Sequence, residues 1–231
     1  MKEQKQRVAE WYRARLGHIT GSEVHNIMGT PRSKGEVFTE TAKSYLYKVL
    51  AERLLRRDIV ESDKQLMAFI DLVGAHGKAL ERGQQLEADA RSQFEIEYNA
   101  NNSGEFIWVE ETGSVAHPKR PYFAASPDGL IEDTGVLEIK SPYPSTFARY
   151  ASEIESAETL KKVKPEYYWQ VMAEMCCTER EWCAFVAYCP EVEHGLHIAY
   201  IERDEEAIAK MLERVDMAEA WLQTLQEKLA E

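Results

Sequence analysis

No apolar run in this sequence approaches the roughly 18 residues that a membrane-spanning helix needs. The longest clear one is the short stretch from Cys183 to Cys189. The opening residues, MKEQKQRVAEWY, carry charges with no apolar core behind them, so no secretory signal is expected and a cytoplasmic location is the default expectation. There is no CxxC pair, the usual half-site of structural zinc, and Cys176, Cys177, Cys183 and Cys189 crowd into one segment. Disulfides are not expected in such a compartment. No repeat, low-complexity tract or Gly/Pro-rich linker interrupts the 231 residues, which predicts one domain over 1–231. Positive charge is also short: 28 Lys and Arg stand against 40 Asp and Glu, a net charge of −12. Nucleic acid is held mainly by cations on phosphate, so this balance argues against non-specific DNA binding.

The charge is uneven. Residues 1–48 hold nine Lys/Arg against five Asp/Glu, and residues 201–231 hold four against nine, so the acid concentrates in the tail. Apolar residues at helical spacing predict helices over 3–15, 39–56 and about 76–96. The second of these has Ala42, Tyr45, Leu46, Val49, Leu50 and Leu54 on one face. A short helix carrying Val24 and Ile27 begins near Thr20 or Gly21 and stops at Gly29. β-Branched and aromatic clusters between turn formers predict strands at 105–110, 113–117, 122–126, 129–133 and 136–140. A helix from Pro165 to about 178 follows, then strands at 181–188 and 195–202, then a long C-terminal helix from about 204. The fold class is α/β, a central mixed sheet flanked by N-terminal helices and a long C-terminal helix.

The segment SPDGLIEDTGVLEIKSP, residues 126–142, carries the chemistry. Side chains alternate along a strand, so Glu138 and Lys140 share a face, and a hairpin turning at Asp133-Thr134-Gly135 brings Asp128 near it. Paired carboxylates suit Mg²⁺, with Mn²⁺ as a substitute, and the Ile139 carbonyl offers a third oxygen. A lysine on that face can orient or deprotonate a water, so the group suits phosphodiester hydrolysis. The alternative is a surface hairpin with an ordinary Glu–Lys pair.

Pro127-Asp128-Gly129 followed by a strand with Glu138 and Lys140 on one face is the PD-(D/E)XK nuclease pattern. With RLGHITGSEVHNIMGTPRS (15–33), GQQLEADARSQFE (83–95) and GLHIAYIERDE (195–205), the chain resembles the phage lambda-type alkaline exonucleases, the YqaJ-like branch of that superfamily. The resemblance runs from about Trp11 to Glu206. It implies a restriction-endonuclease-like core and a Mg²⁺-dependent exonuclease that degrades one strand of linear duplex DNA from the 5′ end, leaving a 3′ single strand. It further implies a homotrimeric ring around the DNA, a single-strand annealing partner, and a bacterial or phage source. Carried over by motif, Asp128, Glu138 and the Ile139 carbonyl are metal ligands, with Glu87 supporting a metal or its water. Lys140 positions or activates the attacking water, and Gln170 is an active-site amide. Arg15, Ser22 and Ser126 surround a 5′-phosphate; an arginine fork suits phosphate, and Ser22 near a helix start adds a hydroxyl and backbone N–H groups. Leu80 is an unpairing wedge and Arg32 reaches into the DNA groove. Ser141 stands where the family often has cysteine, and residues 151–165 match poorly.

Several alternatives stay open on residues alone. Glu87 and Gln170 also read as exposed helical side chains, Ser22 as a helix cap, Leu80 as core and Arg32 as a solvated loop charge. Related nucleases carry four-cysteine iron–sulfur clusters, whereas four local cysteines also read as buried thiols at a helix end and in a strand. His194 and His197 have HxxH spacing, but at a strand start their side chains diverge. A restriction-type endonuclease on the same core is a second function, and ITGSEVHNIMGT also looks like half of a helix-turn-helix, which makes a non-catalytic DNA-binding module a third. With the acid concentrated in the tail, the net charge predicts DNA binding confined to one face and sensitive to salt.

Overall fold

Two runs rich in Val, Leu, Ile and Phe, GVLEIK and WCAFVAY, form the centre of the fold in the computed structural model, which describes residues 8–74, 77–101 and 106–230. In chain order the elements are α1 (Ala9–Arg15), β1 (Ile19–Thr20), α2 (Glu40–Arg53), α3 (Arg57–Glu61), α4 (Asp63–Val73), α5 (Lys78–Ala100), β2 (Val115–His117), β3 (Arg120–Ala125), β4 (Gly129–Ile131), β5 (Gly135–Lys140), α6 (Pro144–Glu153), α7 (Ala157–Val163), α8 (Pro165–Thr178), β6 (Trp182–Tyr188), β7 (Leu196–Glu202) and α9 (Glu205–Ala230). Four strands make a mixed sheet in the order β4-β5-β6-β7, with β5 and β6 parallel and the outer two pairings antiparallel. A smaller sheet has the order β1-β3-β2, with β1 parallel to β3.

The period of two along β5 decides where its chemistry points. Leu137 and Ile139 pack with Ala90 and Phe94 of α5. Val136 joins the larger core with residues of α2, α8 and α9. Glu138 and Lys140 therefore face α8, where Gln170 meets both. α8 starts at Pro165, whose fixed φ suits a first helical position, and buries Tyr168 and every residue from Val171 to Cys177. Its apolar bulk packs against both sheets.

The parallel pairing of β1 and β3 sets up a second cluster. Ile19 lies beside Phe123 and Thr20 beside Ala124, so Ser22 and Ser126 follow matched residues by the same two steps. Gly21 makes this close approach possible: a Cβ there would lie 3.0 Å from the Ala173 Cβ of α8 and 3.1 Å from that of Ala125. α9 locks the outside. Glu219 pairs with Arg53 at 2.6 Å, and Asp216 takes Arg120 at 2.6 and 2.8 Å and the Tyr122 hydroxyl at 2.8 Å. Part of the acidic surplus of the tail is thus bound to basic residues of the body.

The expected elements at 113–117, 122–126, 129–133, 136–140, 165–178, 181–188, 195–202 and from 204 appear with shifts of a few residues at their ends. Residues 3–7, 76 and 105, the edges of three expected elements, lie outside the described residues; the described parts of the two helices are Ala9–Arg15 and Lys78–Ala100. The strand expected at 105–110 is not formed by its described part. Apart from one bridge between Glu110 and Leu130, side chains of α5 hold it: Asn99 bonds the Ile107 N–H and carbonyl, and Glu95 accepts from the Val109 N–H. Leu54, expected on the buried face of α2, caps that helix and is exposed. The short helix near Val24 is a 3₁₀ turn, Val24–Met28, with Val24 and Ile27 buried. It is too short and too embedded to read a DNA groove, which removes the helix-turn-helix reading. The pattern reading assigns nothing to 57–75 or 143–164, where α3, α4, α6 and α7 lie.

Candidate active site

The turn at 132–134 folds β4 back on β5, and the Asp128 N–H donates to the Leu137 carbonyl at 2.9 Å. The Asp128 carboxylate then accepts the Ile139 N–H at 2.7 Å, which fixes it at the edge of the Glu138–Lys140 face. Glu138 is 2% exposed and is bound by the Lys140 ammonium. Gln170 joins them: its Nε2 donates to Glu138 Oε1 at 2.7 Å and its Oε1 accepts from Lys140 Nζ at 3.2 Å. Lys140 Nζ also sits 4.5 Å from the Tyr167 ring centroid, a cation–π contact.

The electrostatics follow from crowding acid into a recess. Burial, then the charges of Glu138 and Glu87, push the Asp128 carboxyl well above its ordinary value, against the pull of Lys140 and the Ile139 N–H. Burial opposes the charge on Lys140, yet Glu138, Tyr167 and Asp128 outweigh it and hold the ammonium more firmly protonated than usual. Glu138 Oε2 is buried and accepts no hydrogen bond. Unpartnered carboxylate oxygen and surplus negative charge are what a hard divalent cation satisfies, so the residues fit Mg²⁺ or Mn²⁺. No group of three or more His, Cys, Asp or Glu among the described residues is arranged to hold a metal ion. Mg²⁺ needs no such cage: one or two carboxylates suffice, with water and phosphate filling the rest.

At the other end of the recess Arg15, from the last turn of α1, donates to Ser126 Oγ at 2.6 Å and to Ser22 Oγ at 3.4 Å. Its guanidinium lies 4.3 Å from the Trp11 ring centroid. Among the described residues no carboxylate forms an ion pair with it, and burial lowers its pKa. Ser22 does not cap a helix. The 3₁₀ turn has Glu23 at its N-cap, and the Ser22 hydroxyl accepts from Arg15.

One cavity of about 460 Å³ connects the two ends and is lined by every expected site residue except Arg32. Leu80 lines it from the first turn of α5, 44% exposed. Glu87, two turns further along α5, takes Arg91 at 3.1 Å and is largely shielded rather than solvent-facing. Arg32 stands on the exposed loop after the 3₁₀ turn and lines a different cavity with His25 and Phe38. Glu174, unassigned by the motif reading, completes the polar cluster: it is 1% exposed and accepts from Gln170 Nε2 at 2.9 Å. Burial and the nearby Glu138 and Asp128 push its carboxyl well up. The signal in sequence is an acid one turn after Gln170, in the apolar stretch from Val171 to Cys177. Trp11 and Tyr167 also line the cavity, and no pattern in the sequence marks them out.

All four cysteines are free and buried, at the end of α8, in β6 and just after it, and burial raises the thiols of Cys177 and Cys183 well above the ordinary value. His197 bonds the Ile154 carbonyl at 2.7 Å, and His194 occupies a left-handed turn at φ 55°. No helix among the described residues is long and apolar enough to cross a membrane.

Residues 10–181 match the YqaJ-like viral recombinase domain. The fold is similar to that of the alkaline exonuclease LHK-Exo from Laribacter hongkongensis, with a TM-score of 0.71 and 30% identity over 96% of this chain and 97% of that one. The same figures hold for LHK-Exo in complex with dAMP. A phage-related exonuclease from Haemophilus somnus shares the fold at a TM-score of 0.64 and 17% identity, over 92% and 96% of the two chains. A search among curated proteins finds no significant relative.

Proposed function

The chain belongs to the YqaJ-like viral recombinase family, and from that premise we propose that it is a Mg²⁺-dependent 5′→3′ exonuclease acting as a single nuclease domain on linear duplex DNA. The observation that carries the reading is one cavity with the Arg15–Ser22–Ser126 cluster at one end and Asp128, Glu138 and Lys140 at the other. LHK-Exo, similar over nearly the whole chain, is described as an alkaline exonuclease. A pocket for a terminal phosphate has use at a DNA end and none within a duplex, which favours exonuclease over restriction-type endonuclease.

In this reading Asp128, Glu138 and the Ile139 carbonyl hold the cation, and Glu87 supports it or its water from α5. The cation, when bound, lowers the pKa of a coordinated water and offsets charge developing on the phosphate. Arg15 grips the terminal phosphate through its planar fork, with Ser22 and Ser126 supplying hydroxyls. Lys140, beside Glu138 and Gln170, positions or activates the attacking water. Gln170 keeps that ammonium beside Glu138. Leu80 wedges the terminal pair apart so that one strand reaches the acids. A homotrimeric ring, an annealing partner that takes the 3′ strand, and a groove contact by Arg32 belong to the same proposal.

The test compares 5′-phosphorylated linear duplex, the same duplex with 5′-hydroxyl ends, and covalently closed plasmid, each with Mg²⁺ or EDTA. Expected is Mg²⁺-dependent loss of the 5′-ended strand from linear DNA, fastest with 5′-phosphate. Nicking or linearisation of the closed plasmid at the same enzyme concentration would overturn the exonuclease reading in favour of an endonuclease.

A further inference from the structure

Glu174 has no part in the mechanism above, yet a fully buried carboxylate in an apolar helix is costly unless something uses it. It lies one turn after Gln170, so both side chains leave the same face of α8. The Gln170 amide makes three hydrogen bonds: Nε2 donates to Glu138 Oε1 at 2.7 Å and to Glu174 Oε1 at 2.9 Å, while Oε1 accepts from Lys140 Nζ at 3.2 Å. A glutamine amide is nearly symmetrical in shape, and a half-turn about its last torsion exchanges oxygen and nitrogen. The exchanged form would set NH₂ against an ammonium and oxygen against two carboxyl groups. Glu138 alone is a weak arbiter, because Lys140 already engages the oxygen it offers. Glu174 supplies a second acceptor from the helix that carries Gln170, and it keeps an acceptor oxygen in either protonation state.

We infer that Glu174 is a positioning residue that fixes the orientation of the Gln170 amide, so that Oε1 is presented to Lys140 and NH₂ to Glu138. Its effect on turnover rests on the exonuclease reading of the cavity, whereas its effect on the amide does not. Supporting contacts of this kind are typically worth about 10- to 100-fold in activity.

The experiment uses the full chain with Glu174→Met, which keeps the volume and removes the acceptor, and Glu174→Gln, which keeps a carbonyl acceptor. Both are also made on Gln170→Ala. Kinetics on 5′-phosphorylated linear duplex with Mg²⁺ are read beside the side-chain NH₂ resonances of Gln170, assigned by their loss in Gln170→Ala. Glu174→Met is expected to lower kcat about tenfold with KM for DNA ends within about twofold, and to move the Gln170 resonances toward those of a free glutamine. Glu174→Gln should stay within about threefold of wild type, and Glu174→Met should add less than about twofold on Gln170→Ala. The inference is overturned by a full Glu174→Met loss on Gln170→Ala, by Glu174→Gln falling as far as Glu174→Met, or by unmoved Gln170 resonances in Glu174→Met. A wild type inert on every DNA would sink the exonuclease reading instead, and the resonances would still decide the orientation.

Discussion

At the Arg15 end of the cavity a half-buried cation meets neutral hydroxyls, Ser22 Oγ and Ser126 Oγ, and no carboxylate pairs with it among the described residues. At the Asp128 end three acids, Asp128, Glu138 and Glu174, gather around one lysine. The first end carries unspent positive charge and the second surplus negative charge. A phosphate dianion is drawn to Arg15 and repelled from the acids until a cation offsets them. The contrast gives the cavity a polarity, with the terminal phosphate at one end and the bond to be cut at the other. It also makes the two ends separable by mutation, since one should govern turnover and the other the choice of DNA end.

The largest expected effect breaks the acidic end. Asp128→Asn keeps the shape and the acceptor for the Ile139 N–H but removes the charge, and should cut kcat on linear duplex by on the order of 10³-fold or more. The fold should survive, because deleting a charge that is disfavoured in the metal-free protein is neutral or stabilising. Near-wild-type digestion by Asp128→Asn would show that the acids are not the catalytic end.

The second effect is on stability. Burial, reinforced by neighbouring carboxylates, raises Asp128 and Glu174 above their ordinary values of 3.8 and 4.5. The folded protein then binds protons more tightly than the unfolded chain. Metal-free stability from this source is full below those ordinary values and is lost as pH rises toward the raised ones. Melts in EDTA should show the gap between Asp128→Asn and wild type widening by several degrees across that rise. Millimolar Mg²⁺ at pH 8 should close the gap by stabilising wild type alone. A gap independent of both pH and Mg²⁺ would remove the electrostatic contrast between the ends.

The acidic end was the more legible in sequence because it is local. Asp128, Glu138 and Lys140 fall in one hairpin, and a period of two is enough to put the last two on one face. Gln170 is a polar residue amid Tyr168, Trp169 and Val171 that also reads as an exposed side chain, and only packing shows that it and Glu174 meet at β5. The Arg15 end joins residues 111 apart in the chain. Two-residue β1 is too short to carry a pattern, so the register of Ile19 and Thr20 on β3 rests on tertiary pairing, and only the motif resemblance grouped Arg15 and Ser22 with Ser126. Ile107 and Val109 have strand-forming side chains, yet Asn99 and Glu95 take up their backbone groups. Local propensity lost there to a neighbouring helix.

The cationic end is tested by Arg15→Ala, expected to weaken use of 5′-phosphorylated ends about 10- to 100-fold, the range of one or two charge-assisted hydrogen bonds, and to leave 5′-hydroxyl ends nearly unchanged. A preference for 5′-phosphate that outlives the substitution would take this end out of phosphate recognition. The smallest effect belongs to the middle of the cavity. Leu80 is nearly half exposed, so Leu80→Ala leaves little cavity and should cost little stability. Unpairing a terminal step costs a few kcal/mol, and a side chain that supplies part of it should be worth roughly fivefold on blunt duplex. On a duplex whose 5′ end is already frayed by mismatches that step is made in advance, so the loss should vanish. Equal losses on blunt and frayed ends would mean that Leu80 shapes the passage between the two ends without separating the strands.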